Sequence, residues 1–417
     1  MKALRIEGKR KLKGTIRISG AKNSSVALIP ASILADGEVT ICNVPEITDI
    51  DSLEEMLIYL GADVRRASES IVIDSKGVTN KQIPAEMSKK LRASYYFMGA
   101  LLGKYGHVEM SFPGGCSIGI RPINLHLKGF EAMGATVTQD QDMLTIDAKE
   151  LKGASIYLDI ASVGATINIM LAAVRAKGVT IIGNAAKEPE IVNVATFLNN
   201  MGAKISGAGT SEIRIVGVNK LKGCFHEVIP DRIEAGTYAI IGALIGDNFK
   251  VSNIIPEHLE ALTSKMLEIG VDITIGEDYF IINSKKDYKP VNIKTLVFPG
   301  FPTDLQQPFM ILLTACNGKS IVEETIWENR FMHVPELIKM GANIKVDGTK
   351  AKIVGPTELT GCDVSATDLR AGAAMVCAAL VANGTTTINN AEHILRGYES
   401  IVEKLTDVGA KIEIIEI

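Results

Sequence analysis

No stretch of this 417-residue chain is apolar for long enough to cross a bilayer. Its longest uncharged runs, such as AGAAMVCAALVANG, stop short of the roughly 20 residues a spanning helix needs. The opening MKALRIEGKRKLKG carries no apolar segment of the kind that precedes a signal cleavage site, so no signal peptide is expected. The six cysteines include no CxxC pair, and the six histidines form no HExxH or Cys/His cluster, so no metal site is expected. Without an export signal the thiols are expected to be reduced and the protein cytoplasmic. A net charge of −4 gives no general attraction to nucleic acid or to an anionic membrane surface. No low-complexity linker interrupts the chain. What remains, at 47% hydrophobic and 22% charged, is the balance of a soluble globular protein long enough for two or more domains.

One pattern recurs. It reads LGADV at 60–64, MGATV at 133–137, MGAKI at 201–205, IGVDI at 269–273, MGANI at 340–344 and VGAKI at 408–412. The glycines, at 61, 134, 202, 270, 341 and 409, are spaced by 73, 68, 68, 71 and 68 residues. Before the glycine, apolar residues fall at helical spacing, as in Ile191, Val194, Phe197, Leu198 and Met201. The glycine itself suits the left-handed position that ends a helix. Alternating residues such as KISGAGTSEIRIVG then predict a strand, a turn and a strand. Upstream of each helix lies another strand leading into a loop. Each unit therefore reads strand–loop–helix–strand–strand, with a further helix before the next unit. Six such α/β units fit either a uniform solenoid or two globular domains of three units each, and total length favours the second.

Function is sought where a unit carries residues its siblings do not need, in loops and at helix starts. In RISGAKNSSVALIPASIL a strand is expected to end at Gly20 and a helix to start near Ser24, with Lys22 and Asn23 at the junction. This is either a weak anion site at a helix N-terminus or an ordinary cap by Asn23 or Ser24 beside a solvated lysine. In SFPGGCSIGIRP, residues 111–122, Cys116 sits on a glycine-rich backbone that lets a ligand approach closely, and Arg121 can grip a carboxylate or phosphate with two prongs. The other cysteines read differently: Cys42, Cys316 and Cys377 as small core residues, Cys224 and Cys362 as turn residues. In FPGFPTDLQQPF, Asp304 is either a helix cap or a general base. In TDLRAGAAM and HILRGYES, Arg370 and Arg396 are either surface ion-pair partners or, with Lys22 and Arg121, parts of a cationic pocket for a small polyanion.

With these residues in view, the chain resembles the UDP-N-acetylglucosamine 1-carboxyvinyltransferases, the enolpyruvyl transferases that open peptidoglycan synthesis and so serve cell-wall growth, cell shape and division. The segments GAKNSSVALIPA, PGGCSIGIRPINLHLKGFEAMGA, SVGATINIML, AAKEPEIV, PDRIEAGTY, FPTDLQQPF, ENRFMHVPEL, TDLRAGAAMV and LRGYESIVEKL carry the likeness from end to end. The resemblance implies an α/β fold of two similar domains, each of three βαβαββ units in an inside-out barrel. One domain would comprise 1–21 with 230–417, the other 22–229, the latter bearing the loop 112–122. It implies transfer of the enolpyruvyl group of phosphoenolpyruvate to the 3-hydroxyl of UDP-N-acetylglucosamine with release of phosphate. No cofactor is expected beyond a covalent phosphoenolpyruvate adduct on Cys116, and the enzyme is expected to be a monomer.

The resemblance carries Lys22, Asn23, Arg121 and Arg396 as phosphoenolpyruvate contacts, and Arg370 joins them from the residue reading. It makes Cys116 the proton donor to the methylene carbon and the target of the epoxide fosfomycin, and Asp304 the base at the sugar hydroxyl. Arg92, Arg121, Pro122, Ile123, Asn124, Leu125, Ser162, Val163, Gly164, Asp304 and Ile326 match nucleotide-sugar contacts. Asn124 departs from the aspartate of many members, and Ala161 from the polar or basic residue of some. The shikimate-pathway enolpyruvyl transferases differ in lacking the cysteine loop and in an Asp-Lys-Ser first motif. A non-catalytic ring of six repeats leaves the cysteine loop unexplained.

Overall fold

The computed structural model describes residues 2–112 and 123–417. Cys116, Arg121, Pro122 and most of the 112–122 loop therefore lie outside the described residues. The chain divides into two compact units. One comprises residues 2–19 with 230–417, the other 20–112 with 123–229. Each has its own apolar core.

The six repeats are present as six small sheets. One shows the common plan. Ser155–Tyr157 runs parallel to Val179–Gly183, which pairs antiparallel with Glu212–Val216, which pairs antiparallel with Lys204–Ser206. Five sheets have four strands in this order. The sixth has three, His107–Ser111, Met143–Asp147 and Thr136–Asp140, with a lone parallel bridge from Ile83 to Met110 in the fourth place. All six repeat glycines have positive φ, between 93° and 107°, and end or follow a helix before the hairpin, as the sequence predicts.

Two strand pairings join parts of the chain far apart in sequence. Leu12–Arg17 runs parallel to Gly246–Ser252, and Phe225–Glu227 runs parallel to Val39–Cys42. Each of Leu12–Arg17 and Phe225–Glu227 is an edge strand of one compact unit, and the chain that follows it enters the other. Lys2–Glu7 fills the third place of the last sheet, between Thr385–Asn389 and Lys411–Glu416, so the two ends of the chain complete one sheet.

Each unit has amphipathic outer helices and three buried inner ones. The outer helix Thr48–Leu60 buries Ile50, Leu53, Leu57 and Leu60 on one stripe. By contrast, 11 of the 13 residues of the inner helix Leu369–Val381 are buried, which demands small residues where helices meet. The inner helices are Lys22–Ala31, Tyr96–Tyr105 and Val163–Ala173 in one unit, and Arg232–Ile245, Thr303–Thr314 and Leu369–Val381 in the other. At Gly99 a Cβ would lie 2.3 Å from the Asn168 carbonyl oxygen, so only glycine lets these two inner helices touch.

At the C-terminal ends of the first three, Lys104 Nζ donates to the Ala35 carbonyl (2.7 Å) and Arg175 Nη2 to that of Leu34 (2.7 Å). Both cations also pair with Asp36 at 2.8 Å. They border a cavity of about 630 Å³, and these bonds make them a cap on the negative helix ends.

Two local expectations are corrected. The first strand of the RISGAKNSS segment ends at Arg17, not Gly20, and the helix begins at Lys22, not near Ser24. Neither Asn23 nor Ser24 caps it: the cap residue is Ala21, with no side-chain hydrogen bond. The helix start is held instead by tertiary pairing, through Ala21 N–H to the Ile229 carbonyl at 2.7 Å. Cys42 is half-buried at a strand end, whereas Cys316 and Cys377 are buried as expected.

Candidate active site

The starts of the inner helices hold Lys22, Asn23, Ser162, Val163, Gly164, Asp304 and Arg370 of the residues singled out by sequence. There the free N–H groups and positive helix ends already favour anions.

In the unit of residues 20–112 and 123–229, Lys22 is the first residue of its helix and Asn23 the second. Lys22 Nζ pairs with Asp49 Oδ2 at 2.6 Å, and both side chains are largely buried. A second group gathers around His126. Ser162 caps the helix Val163–Ala173, its Oγ accepting from Ala165 N at 3.2 Å. A Cβ on Gly164 would lie 2.9 Å from the Tyr95 hydroxyl and 3.1 Å from His126 Cε1, so a side chain there would press on both rings. Ile123 precedes the helix Asn124–Ala132, and its carbonyl accepts from His126 N. Asn124 is exposed, while Leu125 and Val163 are half-buried. Asn168 Nδ2 contacts His126 Nδ1 (2.9 Å) and donates to the Tyr95 carbonyl (2.8 Å). Burial pulls the His126 pKa down to about 3, with Arg92 nearby pushing the same way, so the ring is neutral. The structure thus brings Arg92, Ile123–Leu125 and Ser162–Gly164 to one place. Lys22 pairs with Asp49, and Asn23 is its neighbour on the helix.

In the other unit Asp304 is the second residue of the helix Thr303–Thr314. It does not cap it. The cap position is Pro302, which makes no side-chain cap hydrogen bond, so Asp304 is not the cap residue and that alternative is overturned. Its carboxylate lies between two guanidiniums: Arg330 Nη2 is 2.6 Å from Oδ1, and Arg370 Nη2 is 3.1 Å from Oδ2. Both arginine side chains are almost fully buried. Arg370 Nη1 donates to the Tyr398 hydroxyl at 3.2 Å, and Asp368 Oδ1 caps the helix on which Arg370 lies. Burial pushes the Arg370 pKa down, but Asp304, Tyr398 and Asp231 outweigh it, and the net shift is upward. The charge is thereby locked in.

Ile326 N–H donates to Glu324 Oε1, while Glu324 Oε2 accepts from Thr303, the residue before Asp304. Arg396 is half-buried, follows the short helix Glu392–Leu395 and lies two residues before Tyr398. Asp231 caps the helix Arg232–Ile245 through Ile233 N and Glu234 N.

The residues that sequence reasoning missed are the supporting ones: Asp49, His126, Arg330, Asp368 and Tyr398. Arg330 stood in the quoted segment ENRFMHVPEL without a role, and nothing in its spacing joins it to Asp304.

The model of the EPSP synthase (3-phosphoshikimate 1-carboxyvinyltransferase) family matches residues 6–405. The enolpyruvyl transferase NikO from Streptomyces tendae superimposes with a TM-score of 0.91 at 27% identity, covering 99% of this chain and 98% of that one. EPSP synthase from Acinetobacter baumannii gives 0.78 at 19% identity over 100% of both chains, a likeness of fold. The architecture is therefore that of the enolpyruvyl transferases. UDP-N-acetylglucosamine 1-carboxyvinyltransferase 2 from Geobacillus kaustophilus is 55% identical over 412 residues, 99% of this chain and 96% of its own. The enzyme of the same name from Bacillus subtilis is 55% identical over 413 residues, with the same shares. The chain belongs to the enolpyruvyl transferase family, among the UDP-N-acetylglucosamine 1-carboxyvinyltransferases.

Proposed function

We propose that the protein transfers the enolpyruvyl group of phosphoenolpyruvate to the 3-hydroxyl of UDP-N-acetylglucosamine and releases phosphate, the entry step of peptidoglycan synthesis. The observation that carries this reading is 55% identity along nearly the whole chain to transferases named for that reaction. The chemistry of the described residues supports it. Phosphoenolpyruvate carries up to three negative charges, and buried Arg370 and helix-start Lys22 are cations suited to it. The sugar hydroxyl adds to carbon 2 of phosphoenolpyruvate. Asp304 takes the hydroxyl proton, and Cys116 supplies one to carbon 3. Loss of phosphate, with return of a proton from carbon 3, restores the double bond as the enolpyruvyl ether. Acid or base help of this kind is worth ~10²–10⁴-fold per group.

Lys22, Asn23, Arg121, Arg370 and Arg396 serve phosphoenolpyruvate. Arg92, Arg121–Leu125, Ser162–Gly164, Asp304 and Ile326 serve the nucleotide sugar. Cys116 also carries the covalent adduct. The two compact units act as the family's two domains, with boundaries near residues 21 and 229. The enzyme works as a cytoplasmic monomer; no helix among the described residues is long and apolar enough to cross a membrane.

Phosphate release from phosphoenolpyruvate tests this. Release is expected with UDP-N-acetylglucosamine and not with 3-phosphoshikimate. Release with the shikimate ester alone, or with neither acceptor, would overturn the reading.

A further inference from the structure

Around Arg330, which pairs with Asp304, the chain buries several polar atoms that lack a close side-chain partner. His333 is 0% exposed; its ring lies against the Arg330 backbone, and neither Nδ1 nor Nε2 has a side-chain hydrogen-bond partner. Arg330 gives Nη2 to Asp304 and leaves a buried Nε unpaired. Asp368 caps the Arg370 helix with Oδ1 and leaves Oδ2 unpaired. Gln307, three residues after Asp304 on the same helix, donates Nε2 to the Arg330 carbonyl at 2.9 Å and leaves Oε1 unpaired. Asp368 and Arg330 both lie close enough to act electrostatically on the His333 ring.

A buried polar atom left without any partner costs ~1–3 kcal/mol. Groups in such a cluster are instead joined by ordered water, each molecule making about three hydrogen bonds. Burial leaves the His333 pKa down at about 4; Asp368 and the Arg330 backbone oppose it, and the Arg330 charge assists it. The ring then offers one donor and one acceptor.

We infer that His333 is a positioning residue for the candidate base: with Asp368 and Gln307, and through ordered water, its imidazole holds the Arg330 guanidinium in the orientation that fixes Asp304. The inference rests on Asp304 being the base. Arg330 reaches Asp304 through one nitrogen, so the direction of that contact depends on what holds the rest of the guanidinium. His333 follows Arg330 by three residues and lies close enough to act on it. The arginine cannot itself lose a proton, so the support acts through geometry and charge, with no proton passed along it.

His333→Leu keeps most of the volume and removes both ring nitrogens. It is expected to lower kcat ~10–100-fold, as small misplacements of reacting groups do. The dissociation constant for UDP-N-acetylglucosamine should stay within about twofold, a split that marks loss of a transition-state interaction. The acid limb of the kcat profile should move to higher pH, because a carboxylate with a loosened guanidinium takes up a proton more readily. His333→Gln, which keeps a donor and an acceptor, should recover part of both effects. Gln307→Leu removes a second arm of the same support. It should show the same split and the same shift, and it serves alone if the leucine variant at 333 does not fold.

Wild-type kcat with an unmoved limb would overturn the inference. So would a loss of activity that merely follows the folded fraction. Asp304→Asn, measured in parallel, separates the two levels. If it keeps turnover, the base reading fails. If it is inactive while the limb of the His333 and Gln307 variants stays in place, only the positioning role fails.

Discussion

An asparagine at position 304 keeps the size of the side chain and one of the two acceptor oxygens that meet Arg330 and Arg370, but cannot take a proton. The helix it stands on starts at Thr303 with Pro302 in the cap position, so Asp304 is not its cap residue. Asp304→Asn is therefore expected to lower kcat ~10²–10⁴-fold while UDP-N-acetylglucosamine still binds, read by steady-state kinetics beside equilibrium titration. Turnover within about threefold of the parent would locate the base elsewhere.

The thiols separate in a similar way. Burial raises the pKa of Cys42 and Cys362, and their neighbouring carboxylates Glu227 and Asp363 add to it. Burial alone takes Cys224 to about 11 and Cys316 to about 12, and Cys377 also reaches about 12. None of the five is a ready thiolate. Fosfomycin is expected to label Cys116, and Cys116→Asp, which can still donate a proton, to keep activity while escaping the label. Peptide mass mapping with most label on any of the other five would refute this. Cys116 and Asp304 could be singled out from sequence because their local settings are odd. Arg330 and His333 could not, because their partners lie elsewhere in the chain.

At the scale of elements, the repeat was readable because helix-ending glycines and alternating strands are local properties. The start of the Lys22 helix was not. A search for Ser, Asn or Asp at the cap points to Asn23 or Ser24, but backbone pairing of Ala21 with Ile229 sets the boundary two residues earlier. Contact between inner helices gives a prediction of the same scale. Gly99→Ala would push a methyl group against the Asn168 backbone and its Oδ1, which already accepts from Gly99 N at 2.7 Å. The cost should be about 1–3 kcal/mol, as for other overpacked cores. A fall in the urea midpoint with an unchanged m-value would show it, whereas an unmoved midpoint would mean these helices part without cost.

For the whole molecule, buried titratable groups set the acid limit of stability. His126 falls to about 3, and His226 and His333 to about 4, all chiefly through burial, against the ordinary 6.5. Between pH 6.5 and 4.5 the unfolded chain binds protons at these three positions and the folded one does not. Each histidine therefore removes up to about 1.4 kcal/mol per pH unit as pH falls. Glu234 works in the opposite sense. Burial, offset in part by Lys404 at 2.7 Å, raises it from 4.5 to about 7, so the folded state alone holds that proton in the same window, and its contribution is lost as pH rises. Three protons taken up and one released leave a net uptake of about two on unfolding. The denaturation midpoint should fall from pH 6.5 to 4.5, and a flat or rising midpoint would contradict this account.

The sequence by itself determined the six units, their α/β character, the placing of Asp304 and Arg370 at helix starts, and the family, because each rests on residues close together in the chain. Only the tertiary structure decided that Leu12–Arg17 joins Gly246–Ser252 and that Lys2–Glu7 completes the last sheet. It alone also set Asp304 between arginines 26 and 66 residues away. Those choices follow from burying strand edges and pairing buried charges, and such partners are selected by packing in three dimensions, where neither periodicity nor spacing along the chain records them.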